Sequence, residues 1–376
     1  MTVSRLAIVD TTLREGEQFA GAHFTTEQKL EMIAALDAFG VEYIEMTSPV
    51  ASPRSEADLR RAVAARPRAR ILTHTRCRLD DVERALDCGV DGVNVLFATS
   101  DVLRRASHGR SLEEIAEIAC EVVEHVRRAG REIRFSCEDT FRSDRREILD
   151  IYRAVGSCHP DRVGIADTVG IATPRQVEEL AAAVRSVVDT DIEFHGHNDT
   201  GCAVANALAA LEGGATHIDA TILGIGERNG IASLSGLIAR VGSLQPEAVE
   251  HYRLDLLPSL DARLASILEI PVPFNSPITA PTAFTHKAGM HSNAVLRDPR
   301  SYEVLDPARF GLDRQILRGH RLVGRNAIRD RAGALGIALS EEQISAVTTE
   351  IKRLADGGPL DDSQVDALLA TWATPA

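Results

Sequence analysis

Glu193-Phe194-His195-Gly196-His197-Asn198-Asp199 closes an extended run that begins at Asp191, and it ends in two histidines spaced two apart. On a β-strand, residues i and i+2 face the same side, so the two imidazoles are presented to one place. Gly196 between them lets backbone or ligand approach closely. Two neutral imidazoles and a carboxylate from elsewhere in the chain make a divalent-metal site with open positions. An isolated pair of this kind is more often two packed histidines, so the surrounding chain has to decide.

Outward from this stretch, short β-rich runs alternate with helix-sized segments. The runs are Leu6–Val9, Tyr43–Thr47, Ile71–Thr75, Gly92–Phe97, Ile133–Asp139, Arg162–Thr168, Asp191–His197 and His217–Gly224. Capping boxes at Thr25/Gln28, Ser111/Glu114 and Thr173/Gln176 start helices between them, and Gly40, Gly89, Gly130 and Gly214 stand where helices stop. Eight β-α units in series predict an α/β fold, a (β/α)8 TIM barrel with right-handed crossovers; a doubly wound sheet is the alternative. The barrel is expected over residues 1–245. Residues 246–376 are expected to hold a linker, a lid-like polar segment and a small, mainly α subdomain. In that region Leu257–Leu268 reads as a helix with Pro258 in its first turn, Pro271–Pro281 as a connector, and Ser340–Ala355 and Asp361–Trp372 as terminal helices.

Polar residues gather at the C-terminal ends of the strands, the face on which barrel active sites lie. They include Asp10, Arg14 and Glu15 after the first strand, Glu45 and Thr47 on the second, and His74 on the third. Asn94 follows on the fourth, then Arg134, Ser136 and Glu138 on the fifth, Asp167 and Thr168 on the sixth, and His195 and His197 on the seventh. Arg134 and Ser136 share one face by period two.

The 376-residue chain is 44% hydrophobic and 26% charged, a globular composition, and its formal net charge is −13. That charge disfavours nucleic acid and anionic membranes as partners but not a small acidic substrate bound by local arginines. No apolar run reaches the ~18 residues of a membrane span. The six cysteines, Cys77, Cys88, Cys120, Cys137, Cys158 and Cys202, have no C-x-x-C spacing. They predict reduced thiols and a cytoplasmic protein.

Four motifs occur in order: Asp10-Thr-Thr-Leu-Arg14-Glu15-Gly-Glu-Gln18, His195-Gly-His197-Asn-Asp-Thr-Gly201, Gly224-Ile-Gly-Glu-Arg-Asn-Gly230 and His286-Lys-Ala-Gly-Met-His291. Together they resemble the acyl-CoA-condensing barrel enzymes that include isopropylmalate and homocitrate synthases. Glu15, the segment Thr47-Ser-Pro-Val-Ala-Ser-Pro53 and the segment Arg134 to Ser143 resemble homocitrate synthase in particular. The resemblance implies a divalent metal (Mg²⁺, Mn²⁺, Co²⁺ or Zn²⁺) on Glu15, His195 and His197, with acetyl-CoA as co-substrate. It implies that Arg14 stabilises the developing alkoxide. Glu138, His291 and Tyr302 then serve the proton transfer, the last two reaching from a partner subunit of a homodimer. The 2-oxo acid is expected to meet His74, Asn94, Arg134, Ser136 and Thr168. The Gly224–Gly230 loop fits a barrel loop near phosphate or CoA better than a dinucleotide fingerprint.

Two positions depart from the homocitrate synthase pattern: Asn94 in place of an aspartate, and Asn293 in place of a lysine. With 2-oxoglutarate as the default substrate, Asn94 brings forward phosphonopyruvate, whose doubly charged phosphonate suits a less negative pocket, giving 2-phosphonomethylmalate; oxaloacetate comes third. A metal-dependent aldolase or lyase on the same barrel is the reading from another reaction class.

Overall fold

The computed structural model describes Val3 and residues 5–373. Its first compact unit runs to Ala280 and its second begins at Pro281. In the first, eight parallel strands close into a barrel in sequence order. The elements are β1 (Ala7–Asp10), α1 (Thr26–Phe39), β2 (Tyr43–Met46), α2 (Pro53–Ala64), β3 (Arg70–Arg76), α3 (Leu79–Asp87), β4 (Gly92–Ala98), α4 (Asp101–Ser107) and α5 (Leu112–Arg128). They continue as β5 (Glu132–Glu138), α6 (Arg145–Gly156), β6 (Arg162–Asp167), α7 (Pro174–Arg185), β7 (Asp191–Gly196), α8 (Ala203–Glu212), β8 (His217–Ala220), α9 (Leu234–Leu244) and α10 (Leu257–Leu268). Closure is made by β8 against β1, with Ala7 opposite His217 and Asp10 opposite Ala220. The doubly wound alternative is thereby excluded.

The helices form where local chemistry starts and stops them. At α1, the Gln28 amide donates to Thr25 Oγ1 at 3.1 Å and the Thr25 amide donates to Gln28 Oε1 at 2.7 Å. Gly40 ends α1 at φ 105°, a conformation a side chain resists. Along α5, Ile115, Ala119, Val122, Val123 and Val126 recur at helical spacing and all are buried. Each such valine or isoleucine contributes roughly 1.5–3 kcal/mol of burial.

Three expectations are revised. Strand β8 stops at Ala220 instead of Gly224, because Ile222–Gly224 turns, with Leu223 at φ 59°. Compactness divides the chain after Ala280 rather than after residue 245, because α10 packs on the barrel. Its Arg263 pairs with Glu31 of α1, and its buried Asp261 accepts from Thr279 at 2.5 Å. Cys120 and Cys158 form a disulfide, with Cα atoms 5.7 Å apart, where reduced thiols were expected. Residues 38 apart in sequence carry no spacing signal, but α5 and the end of α6 lie side by side.

The second unit holds β9 (Thr285–His286), α11 (Gly289–Arg297), β10 (Gln315–Ile316), α12 (Arg325–Ala334), α13 (Glu341–Ala355) and α14 (Asp362–Trp372). β9 and β10 pair in parallel. Val323, Ile328, Val347, Ile351, Val365 and Leu369 form the apolar core of the helices. Among the described residues no helix is long and apolar enough to cross a membrane.

Candidate active site

A cavity of about 210 Å³ opens at the C-terminal face of the barrel. Glu15, just past β1, meets His195 of β7 and His197 one residue beyond it. The facing ligand atoms of the three residues all lie within 4.8 Å of one another. The period-two spacing does what the sequence implies: the two Nε2 atoms are 3.3 Å apart, and they stand 3.9 and 4.0 Å from the Glu15 oxygens. Asp219 of β8 holds His195 Nδ1 at 2.9 Å, turning Nε2 toward the cavity. Glu15 is held by the Glu227 amide at 2.8 Å and by Arg14 Nη1 at 2.6 Å.

Burial, and then the nearby Arg14, lower the pKa of His195 to about 4, and burial followed by His195 itself lowers that of His197 to about 4. Both rings are therefore neutral near pH 7, with lone pairs available. Burial works to raise the Glu15 carboxyl, but the Arg14 guanidinium and the two histidines outweigh it and hold it at about 2. Two neutral imidazoles, whose Nε2 atoms face each other and Glu15, and an ionised carboxylate converging on one point fit a divalent cation with open coordination positions.

His74, Arg134, Ser136, Glu138 and Thr168 all line the same cavity, together with Arg14. Burial, then Arg14, lowers His74 to about 3, and its Nε2 has no partner. Arg134 and Ser136 reach inward beside Gly164 of β6; a Cβ there would lie 2.6 Å from Ser136 Oγ. Thr168 Oγ1 accepts the Asp139 amide at 2.8 Å. Burial, then Asp139, raises the Glu138 pKa.

Asn94 is the residue the structure treats differently. It is fully buried, it is not part of the cavity wall, and its Nδ2 donates to Glu45 Oε1 at 2.6 Å. Glu45 also accepts from Thr11 at 2.9 Å and from Arg14 Nε at 2.6 Å. Glu45 thus carries a negative charge beside Asn94, whose Oδ1 is buried without a partner.

Sequence reasoning gave no role to Glu193 under the floor or to Leu96 and Arg228 at the rim. Glu193 binds Arg134 and, at 2.9 Å, Arg162. Gln18, Leu96, Ala166, Glu227 and Arg228 complete the wall. Glu193 lies two residues before His195, so strand period alone put it on the same face. Arg228 is fixed by Asp199 at 2.7 and 2.9 Å and donates to the Thr168 carbonyl at 2.7 Å. The glycines of the Gly224–Gly230 loop have a packing reason. A Cβ on Gly226 would sit 2.7 Å from Glu15 Oε1, and one on Gly230 only 1.8 Å from the Gly224 carbonyl oxygen.

His291 and Tyr302 belong to the second unit, where their rings stack with centroids 4.1 Å apart and both are exposed. Asn293 accepts a hydrogen bond from Asn326.

A buried Glu-His-His cluster at the mouth of a closed eight-stranded barrel defines a barrel enzyme class. Residues 5–261 match the HMGL-like family, and residues 278–359 match the homocitrate synthase post-HMGL domain-like family. The mitochondrial homocitrate synthase of Saccharomyces cerevisiae is 51% identical over 98% of this chain and 84% of its own length. The cytosolic isozyme of that yeast is also 51% identical, over 98% and 87%. A homocitrate synthase of Saccharolobus solfataricus is 37% identical over 93% and 76%. In fold, the chain is similar to the HMG-CoA lyase of Bacillus subtilis, with TM-score 0.64 and 21% identity over 72% of this chain and 95% of that one. The chain belongs to the HMGL-like family, in its homocitrate synthase branch.

The relatives also correct the cytoplasmic expectation. Those of Saccharomyces cerevisiae, Yarrowia lipolytica, Penicillium rubens and Schizosaccharomyces pombe are mitochondrial, with one cytosolic isozyme among them. Cysteine spacing is blind to that difference, because the same fold works in both compartments.

Proposed function

We propose that this chain is an acyltransferase that condenses acetyl-CoA with 2-oxoglutarate and water to give homocitrate and free CoA. The observation that carries the reading is 51% identity to homocitrate synthases over 98% of the chain, joined to the Glu15, His195 and His197 cluster at the cavity. In this reading those three residues hold a divalent cation, which when bound acts as a Lewis acid toward the ketone. Arg14 uses Nε and Nη1 on Glu45 and Glu15 and faces the cavity, where its charge stabilises the oxygen that becomes an alkoxide. Arg134, clamped by Glu193, attracts the distal carboxylate of the 2-oxo acid, with His74 and Ser136 beside it and Thr168 nearer the C1 carboxylate.

Glu138 takes a proton from the acetyl methyl group; its raised pKa makes it a better base than an exposed carboxylate. The resulting carbon nucleophile attacks the ketone, and water then cleaves the thioester to release CoA. His291 and Tyr302 assist the proton transfer from the second unit of a neighbouring subunit, so the working form is a homodimer. That assignment is supported by the resemblance of the stretch His286 to His291, and subunit exchange tests it. Mixed Glu15→Ala and His291→Ala proteins recover activity if the assignment holds, and stay inactive despite proven exchange if it does not.

The substrate is tested by thiol release from acetyl-CoA with 2-oxoglutarate, oxaloacetate, phosphonopyruvate or no oxo acid. The expected result is that 2-oxoglutarate gives the highest kcat/KM, by about tenfold or more, a difference of ~1.4 kcal/mol. The position of Asn94 against Glu45 supports this choice over phosphonopyruvate. Faster turnover of phosphonopyruvate, or thiol release with no oxo acid, would overturn it.

A further inference from the structure

A cavity of about 410 Å³ opens where α5 and α6 end, and Cys158 stands in its wall with Glu124, Arg127, Arg128, Ser157 and His159. None of these residues lines the active-site cavity. Cys158 is bonded to Cys120 of α5, which is not part of the wall, so a molecule in the cavity meets the disulfide from the Cys158 side. Both cysteines are half-buried. A space of this size admits a small molecule and not a folded partner.

The wall carries two guanidinium groups and an imidazole against the single carboxylate of Glu124, in a chain whose net charge is −13. Arg127 Nη1 donates to the Cys158 carbonyl oxygen at 3.1 Å, which keeps that guanidinium beside the disulfide. No carboxylate pairs with Arg127 among the described residues. Arg128 pairs with Glu124 at 2.5 Å, but both are largely exposed and such a pair is weak; an incoming carboxylate can compete for it. His159 stands at φ 55°, in the left-handed region, so an imidazole is present at a turn where glycine would fit the backbone better.

The other cysteines are placed differently. Burial pushes the thiols of Cys77 and Cys137 up to about 12, and that of Cys88 upward, which keeps them protonated and unreactive near pH 7. Positive charge beside a disulfide does the reverse. It draws in an anionic thiolate and stabilises the sulfur that leaves.

We infer that the Cys120–Cys158 disulfide is a thiol-exchange site, whose reaction partner is a small thiol bearing carboxylates and seated among Arg127, Arg128 and His159. The thiolate of that molecule attacks Sγ of Cys158, and a mixed disulfide forms. The bond to Cys120 breaks, and Cys120 leaves as a thiolate that takes a proton from water. A second small thiolate then attacks the small-molecule sulfur of the mixed disulfide and releases Cys158. Two electrons pass to the two cysteines from two small thiols, which depart joined as a disulfide. The reverse sequence, with that small disulfide as oxidant, closes the bond again.

The test follows opening of the oxidised chain by glutathione, whose carboxylates outnumber its amine, and by cysteamine, which carries an amine alone. Rate constants are taken per thiolate at low salt, and adducts are located by mass spectrometry of alkylated peptides. The ratio of the glutathione rate constant to that of cysteamine is expected to fall about tenfold or more in Arg127→Ala/Arg128→Ala. High salt should produce most of that fall in the wild type itself, so the outcome does not hang on the variant's folding. In Cys120→Ser, oxidised glutathione should leave its adduct on Cys158, and in Cys158→Ser none on Cys120. A ratio unmoved by the variant or by salt would overturn the inference. So would six free thiols after treatment of the wild type with oxidised glutathione, or adducts confined to Cys120 or Cys202.

Discussion

The barrel interior carries charge at two levels, and the levels behave differently. Toward the N-terminal ends of the strands, Arg162 is matched by Glu193 and Glu132, each at 2.9 Å, and lies 4.6 Å from the centroid of the Tyr43 ring. There, opposite charges answer one another. At the mouth, His195 and His197 instead turn their Nε2 atoms toward each other and toward Glu15. Three ligand-type groups that converge within 4.8 Å with no cation side chain between the two imidazoles suit the mouth to an arriving cation, whereas the ion pairs of the floor hold Arg134 and Arg162 in place.

The contrast predicts opposite phenotypes. At the mouth, His197→Ala is expected to cut turnover by about a thousandfold or more through loss of a metal ligand, while circular dichroism and Tm stay close to wild type. Collapse of the fold would show that the histidine is structural. At the floor, Glu193→Ala leaves two buried arginines short of a carboxylate and is expected to cost roughly 3–5 kcal/mol of stability, read by denaturant unfolding. A stability loss below about 1 kcal/mol would mean that the ion pairs are not part of the frame.

Much of this was legible in the sequence, for physical reasons that can be named. The period-two spacing of His195 and His197 needs only local strand geometry, and the capping boxes at Thr25, Ser111, Thr173 and Ser340 are contacts between residues three apart. What stayed hidden depends on barrel closure. The Glu227 amide reaches Glu15 across 212 positions, and Asn94 finds Glu45 across 49. Strand composition does not disclose which carboxylate faces an asparagine once the strands tilt and close. The disulfide escaped for the same reason, being a product of helix adjacency.

A smaller effect sharpens the comparison through pH. His74 has a folded pKa near 3, below the ~6.5 of an unperturbed histidine, so the unfolded chain binds the proton more readily. Its contribution to stability is complete above about pH 6.5 and is lost as pH falls toward 3. Within that window one proton gives a slope of up to ~1.4 kcal/mol per pH unit. His74→Gln should therefore flatten the stability curve by about one proton, measured by urea unfolding between those pH values; identical slopes would remove His74 from the buried neutral set.

The most direct test of the mouth as a metal centre is calorimetric titration of metal-stripped protein with Mn²⁺, with thiol release from acetyl-CoA and 2-oxoglutarate followed in parallel. One ion per chain is expected, with activity rising in step with occupancy and no such binding in His195→Ala. Full turnover after exhaustive chelation, or undiminished binding in that variant, would contradict it.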